Sequence, residues 1–265
     1  MDMTFKQMFL DRWNHFFPGV ELPICFYYTD DAGLVDKAPP TSEWRCFIAD
    51  LAKVRKGKPV AFGAEAVTCS GGQRYLGFSQ ELRPDFEYFL SCGIEGRLEG
   101  ERYKKTPELV NEFMKRVPPF EAPGKFIVFK RFDVLEKTDE PQVTIFFVSP
   151  DAMAGLFTLA GFDSAASEAV AAPFGSGCSS IVFLPYCQLQ ESQPKPIIGM
   201  FDISARPYVA SDILTFAAPW PKFVSMVHDM EESFLITASW DKVRKRLGEG
   251  NDPQGGSRSD ENSIL

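Results

Sequence analysis

The chain has 265 residues, 45% of them hydrophobic and 25 of them Phe, and a formal net charge of −8. The apolar content suffices for a large core, while the acidic balance argues against nucleic acid as a partner, since a binding face for it normally shows as a basic excess. No apolar run approaches the roughly 18 residues that span a bilayer, and Asp2 and Asp11 interrupt the N-terminal apolar stretch, so neither a membrane partner nor a secretory signal is expected and the chain reads as cytoplasmic.

In chain order, a first helix is expected over Phe5 to Phe16, with Phe5, Phe9, Trp13 and Phe16 on one face and Pro18-Gly19 as its stop. Leu22 to Tyr28 reads as a buried strand. Thr41 or Ser42 then caps a helix that carries Trp44, Phe47, Ile48, Leu51 and Val54 and ends at Gly57. Short strands are expected around Val60 and Phe62 and at Glu65 to Thr68. Two helices follow: Asp85 to Ser91, and a second behind the Thr106 cap and first-turn Pro107, burying Leu109, Val110, Phe113 and Met114. Phe126 to Phe132 and Val143 to Val148 are β-branched and aromatic runs bounded by turn residues, the pattern of strands.

Ser149-Pro150-Asp151 opens a helix that runs to Gly161. A strand near Ala169 to Ala172 leads to a short helix from Ser179 that stops at Pro185. Ile197 to Ile203 and Ile213 to Phe216 read as closing strands. Phe223, Val227, Met230 and Phe234 form a helical stripe, and Ser239 caps a last helix with Trp240, Val243 and Leu247 inward. The fold class that follows is α/β or α+β: a single domain over 1–248 with a mixed sheet flanked by helices, then a disordered acidic tail over 249–265. A helix, strand, Glu-Ala-Val and Cys/Gly/Ser order recurs at 42–78 and 149–186, which admits two pseudo-repeated halves.

The six cysteines include no CxxC pair and are no disulfide framework in a chain of this length. Two of them lie in small-residue turns, Thr68-Cys69-Ser70-Gly71-Gly72 and Gly175-Ser176-Gly177-Cys178-Ser179-Ser180. Cys178, at an expected helix start, is either a thiolate stabilised there or a small residue that fits a tight turn, and Cys69 has the same two readings. Cys25, Cys46, Cys92 and Cys187 read as core. Gly71, Gly72, Gly175, Gly177 and Ser179 offer close backbone approach to a small anionic molecule, with Arg74 and Arg206 as its guanidinium partners. A plain surface pairing of Arg206 with Asp202 competes with that role.

Other readings compete. Cys46, Cys69 and Cys178 could serve as thiolate ligands of zinc or an iron–sulfur cluster, but their spacing is not that of a ligand set and His228 is the only fourth ligand in view. Gly175-x-Gly177-x-x-Ser180 falls one residue short of the dinucleotide fingerprint, and no acid follows at the required distance. Ser239-Trp240-Asp241-Lys242 matches SxxK, with Ser239 read as a helix cap. A non-catalytic interaction module is the third class.

Four segments taken together carry a resemblance: Thr68-Cys69-Ser70-Gly71-Gly72 with Leu76-Gly77-Phe78, Pro141 to Asp151, Gly175-Ser176-Gly177-Cys178, and Gly199-Met200-Phe201-Asp202-Ile203-Ser204-Ala205-Arg206. In this order they resemble a prokaryotic family known as the domain of unknown function 169, over about residues 20 to 247. Pro141-Gln142-Val143 departs from that family's Pro-Asp-Val. The resemblance implies no established activity, and it marks Cys69, Cys178 and Arg206 as residues inside recognisable segments. The reading is thus a small-anion-binding protein with Cys178 and Cys69 as candidate nucleophiles.

Overall fold

The computed structural model describes residues 1–249. Its strands are β1 (Ile24–Thr29), β2 (Val60–Phe62), β3 (Phe126–Arg131), β4 (Val143–Val148), β5 (Ile197–Gly199) and β6 (Leu214–Pro219). They form one sheet in the order β2-β3-β1-β4-β6-β5. Every pairing of these strands is antiparallel. Among the described residues, parallel pairing is confined to isolated bridges at Lys37–Ala61 and Ala171–Ile197. The class is therefore mixed α/β, with helices on both faces.

The helices are α1 (Met3–Phe16), α2 (Phe47–Arg55), α3 (Ser70–Tyr75), α4 (Phe86–Phe89), α5 (Pro107–Lys115), α6 (Pro150–Ala160), α7 (Leu184–Cys187), α8 (Trp220–Asp229) and α9 (Ala238–Glu249). Side chains alternate across the central strands. Cys25 of β1, with Phe146 and Val148 of β4, enters one core; Ile24 and Phe26 of β1, and Val143, Ile145 and Phe147 of β4, enter the other. Both faces are apolar, so these strands read as unbroken hydrophobic runs. The first face is aromatic: Phe9, Trp13 and Phe17 pack with Phe132, Phe146 and Phe223 under α1, α6, α8 and α9. Each such ring, fully buried, contributes about 1.5–3 kcal/mol. The second face carries α2, α3 and the 177–190 segment, and it holds Cys69 and Cys178.

Strand order resolves the two halves differently from the sequence echo. In each half a long inner strand (β1 or β4) crosses to a short edge strand (β2 or β5), and the third strand (β3 or β6) inserts between them. On the thiol-bearing face the crossover contains α2, packed on β3, in one half and the 177–190 segment, packed on β6, in the other. By topology the counterpart of Cys178 in the other half is therefore Cys46 at the start of α2, while α6 covers the opposite face.

Several local expectations shift. Trp44 stays 67% exposed because α2 starts only at Phe47, with Cys46 as its N-cap. Glu65 lies in a 3₁₀ turn (Ala64–Ala66) instead of a strand. Leu109 is half-exposed, and α5 buries Val110. Ala169 to Ala172 makes one bridge only, and β5 stops at Gly199 because Met200 takes a left-handed φ of 70°. The stripe toward Phe234 breaks after α8, and Phe234 sits in a separate 3₁₀ turn. Thr237 rather than Ser239 caps α9, its hydroxyl accepting the Trp240 N–H at 3.4 Å. Cys92 is exposed.

Pro185 does not stop its helix. Ser179–Phe183 is π-helical, and α7 and a 3₁₀ turn to Gln190 continue it. Widening the turn just before Pro185 accommodates a residue that has no N–H to donate and whose ring crowds the preceding turn. No helix among the described residues is long and apolar enough to cross a membrane. Glu249 closes α9, and the rest of the expected acidic tail, 250–265, lies outside the described residues.

Candidate thiol site

Cys69 is the N-cap of α3, and its sulfur accepts the Gly72 N–H at 3.3 Å. The backbone N–H of Phe47, at the start of α2, and the thiol of Cys178 also favour the charged form of this sulfur. Position 72 must be glycine for this: a Cβ there would stand 2.7 Å from both the Cys69 Sγ and Val67 Cγ1. Donation by Cys178, reinforced by the backbone N–H groups and opposed by burial, lowers the Cys69 thiol from 9.0 to about 6.

Cys178 goes the other way. Its hydrogen bond to Cys69, then burial, then the charges at Cys69, Cys46 and Asp202 raise its thiol well above the ordinary value. The surroundings thus favour the charged form at Cys69 and the protonated form at Cys178, the reverse of the expectation that the thiolate forms at Cys178. The cause is positional: Cys178 lies in the first helical turn of its segment, where the N–H groups of that turn are taken by other partners. Gly177 N–H donates to Asp202 Oδ2 at 2.9 Å, and Ser179 N–H to Ser176 Oγ at 3.1 Å. A phosphate approaching the Gly177 N–H would meet a carboxylate already there, which disposes of the near-miss dinucleotide pattern.

Asp202 is anchored in turn by the Ser204 N–H at 3.0 Å and Ser204 hydroxyl at 2.8 Å. Gly199 matters by absence of a side chain: a Cβ would lie 2.2 Å from Ser180 Oγ, which donates to the Gly177 carbonyl at 2.9 Å. The third cysteine, Cys46, is half-buried; burial raises its thiol, and its charge couples to Cys69 and Asp202. Among the described residues no group of three or more His, Cys, Asp or Glu is arranged to hold a metal ion, so the three-cysteine ligand set is not assembled.

The other expected residues divide. Arg74 Nη1 donates to the Gln80 carbonyl at 2.7 Å, its guanidinium lies by the Tyr75 hydroxyl, and its Nε is buried with no partner. Tyr75 in turn senses Cys178 and Asp202. Arg206 is not paired with Asp202 and has little left for a ligand: it donates to the carbonyls of Ile213, Ala210 and Ser211. It fastens a loop. Gly71 has open space where a Cβ would be, and Gly175 packs against Ser179, with 3.0 Å from its Cβ position to Ser179 Oγ. Neither approaches the sulfurs as Gly72 does.

Thr68 and Ser70, on either side of Cys69, line a cleft of about 540 Å³ together with Trp44, Arg83, Pro84, Asp85, Arg97 and Leu98. Arg97 pairs with Asp85 at 2.7 Å, while Arg83 lies over the Phe89 ring. A second cleft of about 610 Å³, bordered by Phe5, Trp220 and His228, belongs to the aromatic face and has no cysteine in its wall.

Sequence reasoning grouped Cys46 with Cys69 and Cys178 only as metal ligands, and it missed Asp202 and the Phe47 N–H as neighbours of the two thiols. Only Asp202 had a signal, an Asp-x-Ser pair just after Gly199 in a segment otherwise read as strand.

The chain belongs to the domain of unknown function 169 family, described as uncharacterised ArCR, whose family model matches residues 21–229. No curated protein and no solved structure matches it.

Proposed function

We propose that this protein binds a small anionic molecule in the cleft beside Cys69 and uses the Cys69 thiolate as a nucleophile toward it. The observation that carries the reading is the Cys69 sulfur folded onto the start of α3, where it accepts the Gly72 N–H at 3.3 Å; the Cys178 thiol and the surrounding backbone N–H groups lower its pKa to about 6. A thiolate is the reactive form of cysteine, and proteins prepare it with such donors at the start of helices. Arg83 in the cleft wall supplies the positive charge that an anion needs, Arg97 beside it being paired with Asp85 at 2.7 Å.

The test compares two alkylating agents of opposite charge type on the native protein. Iodoacetate, an anion, should label Cys69 faster relative to neutral iodoacetamide than it labels the exposed Cys92. Inorganic phosphate at millimolar concentration should slow the Cys69 reaction and leave Cys92 unchanged. Equal ratios at the two cysteines, with no effect of phosphate, would overturn the anion-binding part. Slow labelling of Cys69 by both reagents would overturn the nucleophile.

A further inference from the structure

We infer that Trp44 is the recognition residue of the cleft beside Cys69, and that the anion it selects carries an aromatic group, as an aryl phosphate or an aryl carboxylate does. The inference rests on the reading above in taking the ligand of that cleft to be an anion. What it adds comes from the cleft wall. Trp44 is 67% exposed, whereas Trp13 and Trp240 are at 0% and 3%. Leaving an indole in water forgoes one of the largest burial gains a side chain offers. The exposure is not that of a loose loop, because Thr68, the residue before Cys69, clamps the chain on both sides of Trp44. Its hydroxyl donates to the Glu43 carbonyl at 2.9 Å and accepts the Arg45 N–H at 2.9 Å.

The rest of the wall is equally fixed. Leu98 is closed on Ile94 by backbone bonds of 2.7 and 2.9 Å, and Arg97 is held to Asp85 at 2.7 Å. Arg83 rests its guanidinium 4.1 Å from the centre of the Phe89 ring and has no carboxylate partner among the described residues. The cleft thus presents a clamped, open indole and a guanidinium free of acids in about 540 Å³, within the roughly 300–1,000 Å³ usual for small-molecule sites. An indole face accepts an aromatic ring in offset or edge geometry, and a guanidinium fork accepts a phosphate or carboxylate. A residue whose backbone is already held loses less freedom when a ligand packs on it. Inorganic phosphate satisfies Arg83 and gives Trp44 nothing, so the two residues together prefer the aryl anion to the bare one.

The experiment uses the full chain with phenyl phosphate and inorganic phosphate as probes, their binding read by calorimetry and by protection of Cys69 from iodoacetamide. Phenyl phosphate should bind and protect at a concentration about tenfold lower than inorganic phosphate, the gain expected from one well-packed ring. Trp44→Phe should keep most of that gap, and Trp44→Ala should close it. Hydroxyl-radical footprinting of the wild type needs no variant: phenyl phosphate should shield Trp44, and inorganic phosphate should not. Equal affinity for the two anions, or a gap that survives in Trp44→Ala, would overturn the inference and leave the anion site standing. Shielding of Trp220, in the other cleft, in place of Trp44 would overturn it as well. Binding of neither anion would overturn the anion site and the inference with it. If Cys69 labels slowly, calorimetry still reads the gap, and an aryl preference lost in Trp44→Ala would uphold the inference while the nucleophile falls.

Discussion

Cys69 and Cys178 sit in turns of nearly the same composition, Cys-Ser-Gly-Gly and Gly-Ser-Gly-Cys-Ser-Ser, on the same face of one sheet. Their chemistry is opposite. Cys69 stands just outside α3, in the extended conformation of an N-cap (φ −83°, ψ 134°), so its side chain folds back onto the free N–H groups of the helix it precedes. Cys178 already has helical angles (φ −63°, ψ −39°), and its side chain makes no cap bond to the N–H groups of the helix it opens. One step in backbone conformation decides which sulfur caps its helix and which does not. Composition cannot show that step.

The largest effect expected from this contrast is on reactivity. Near pH 7 a thiol held at about 6 is mostly ionised, whereas an ordinary one is ionised to a few per cent. Cys69→Ser should therefore remove the fast phase of alkylation, lowering the rate at least about tenfold even after the weaker nucleophilicity of a low-pKa thiolate is counted. The wild-type rate should follow a single titration with a midpoint near 6. Labelling of Cys178 before Cys69 would reverse the comparison.

The glycines sharpen it next. Gly72→Ala should cost about 1–3 kcal/mol by overpacking and slow Cys69 alkylation several-fold, because the new methyl displaces the sulfur. Gly71→Ala, one residue away and facing open space, should be neutral to about 1 kcal/mol stabilising, since glycine inside a helix is costly. Chemical denaturation of both variants measures the difference. Equal costs would mean that Gly72 serves the helix rather than the sulfur.

A smaller effect concerns the donor side. Asp202→Ala removes the acceptor of the Gly177 N–H and should cost about 1–2 kcal/mol, as loss of a helix cap does. It also removes one of the negative charges that raise the Cys178 thiol, so slow labelling of Cys178 should become measurable. No change in Cys178 reactivity would leave Asp202 as a cap only.

The smallest is a pH dependence of stability. The Cys69 thiol is depressed in the folded chain from 9.0 to about 6. Between those values the unfolded chain binds more protons than the folded one, so stability rises with pH across the window. The gain is complete above about 9 and lost as pH falls through about 6. Melting temperatures of wild type and Cys69→Ser should diverge as pH increases across that range. Cys25, on the aromatic face and pushed up to about 12 chiefly by burial, should contribute nothing there, and Cys25→Ser should melt in parallel with wild type.

Apolar periodicity alone determined most of the scaffold. Phe5, Phe9, Trp13 and Phe16 line the buried side of α1 as their spacing requires, and Phe126 to Arg131 and Val143 to Val148 are strands because β-branched and aromatic side chains fill a sheet buried on both faces. Cys69 and Cys178 drew notice as candidates too, since small-residue turns that carry a thiol stand out in any sequence. Which of them ionises was not legible, because it depends on the Phe47 N–H, 22 residues before Cys69, and on Asp202, 24 residues after Cys178. Nor could the sequence assign Arg206 to three carbonyls or pair α2 with the 177–190 segment. Hydrophobic pattern is a local property that each helix or strand reads from its own residues. The direction of a hydrogen bond between distant segments exists only once the sheet order has brought their ends together.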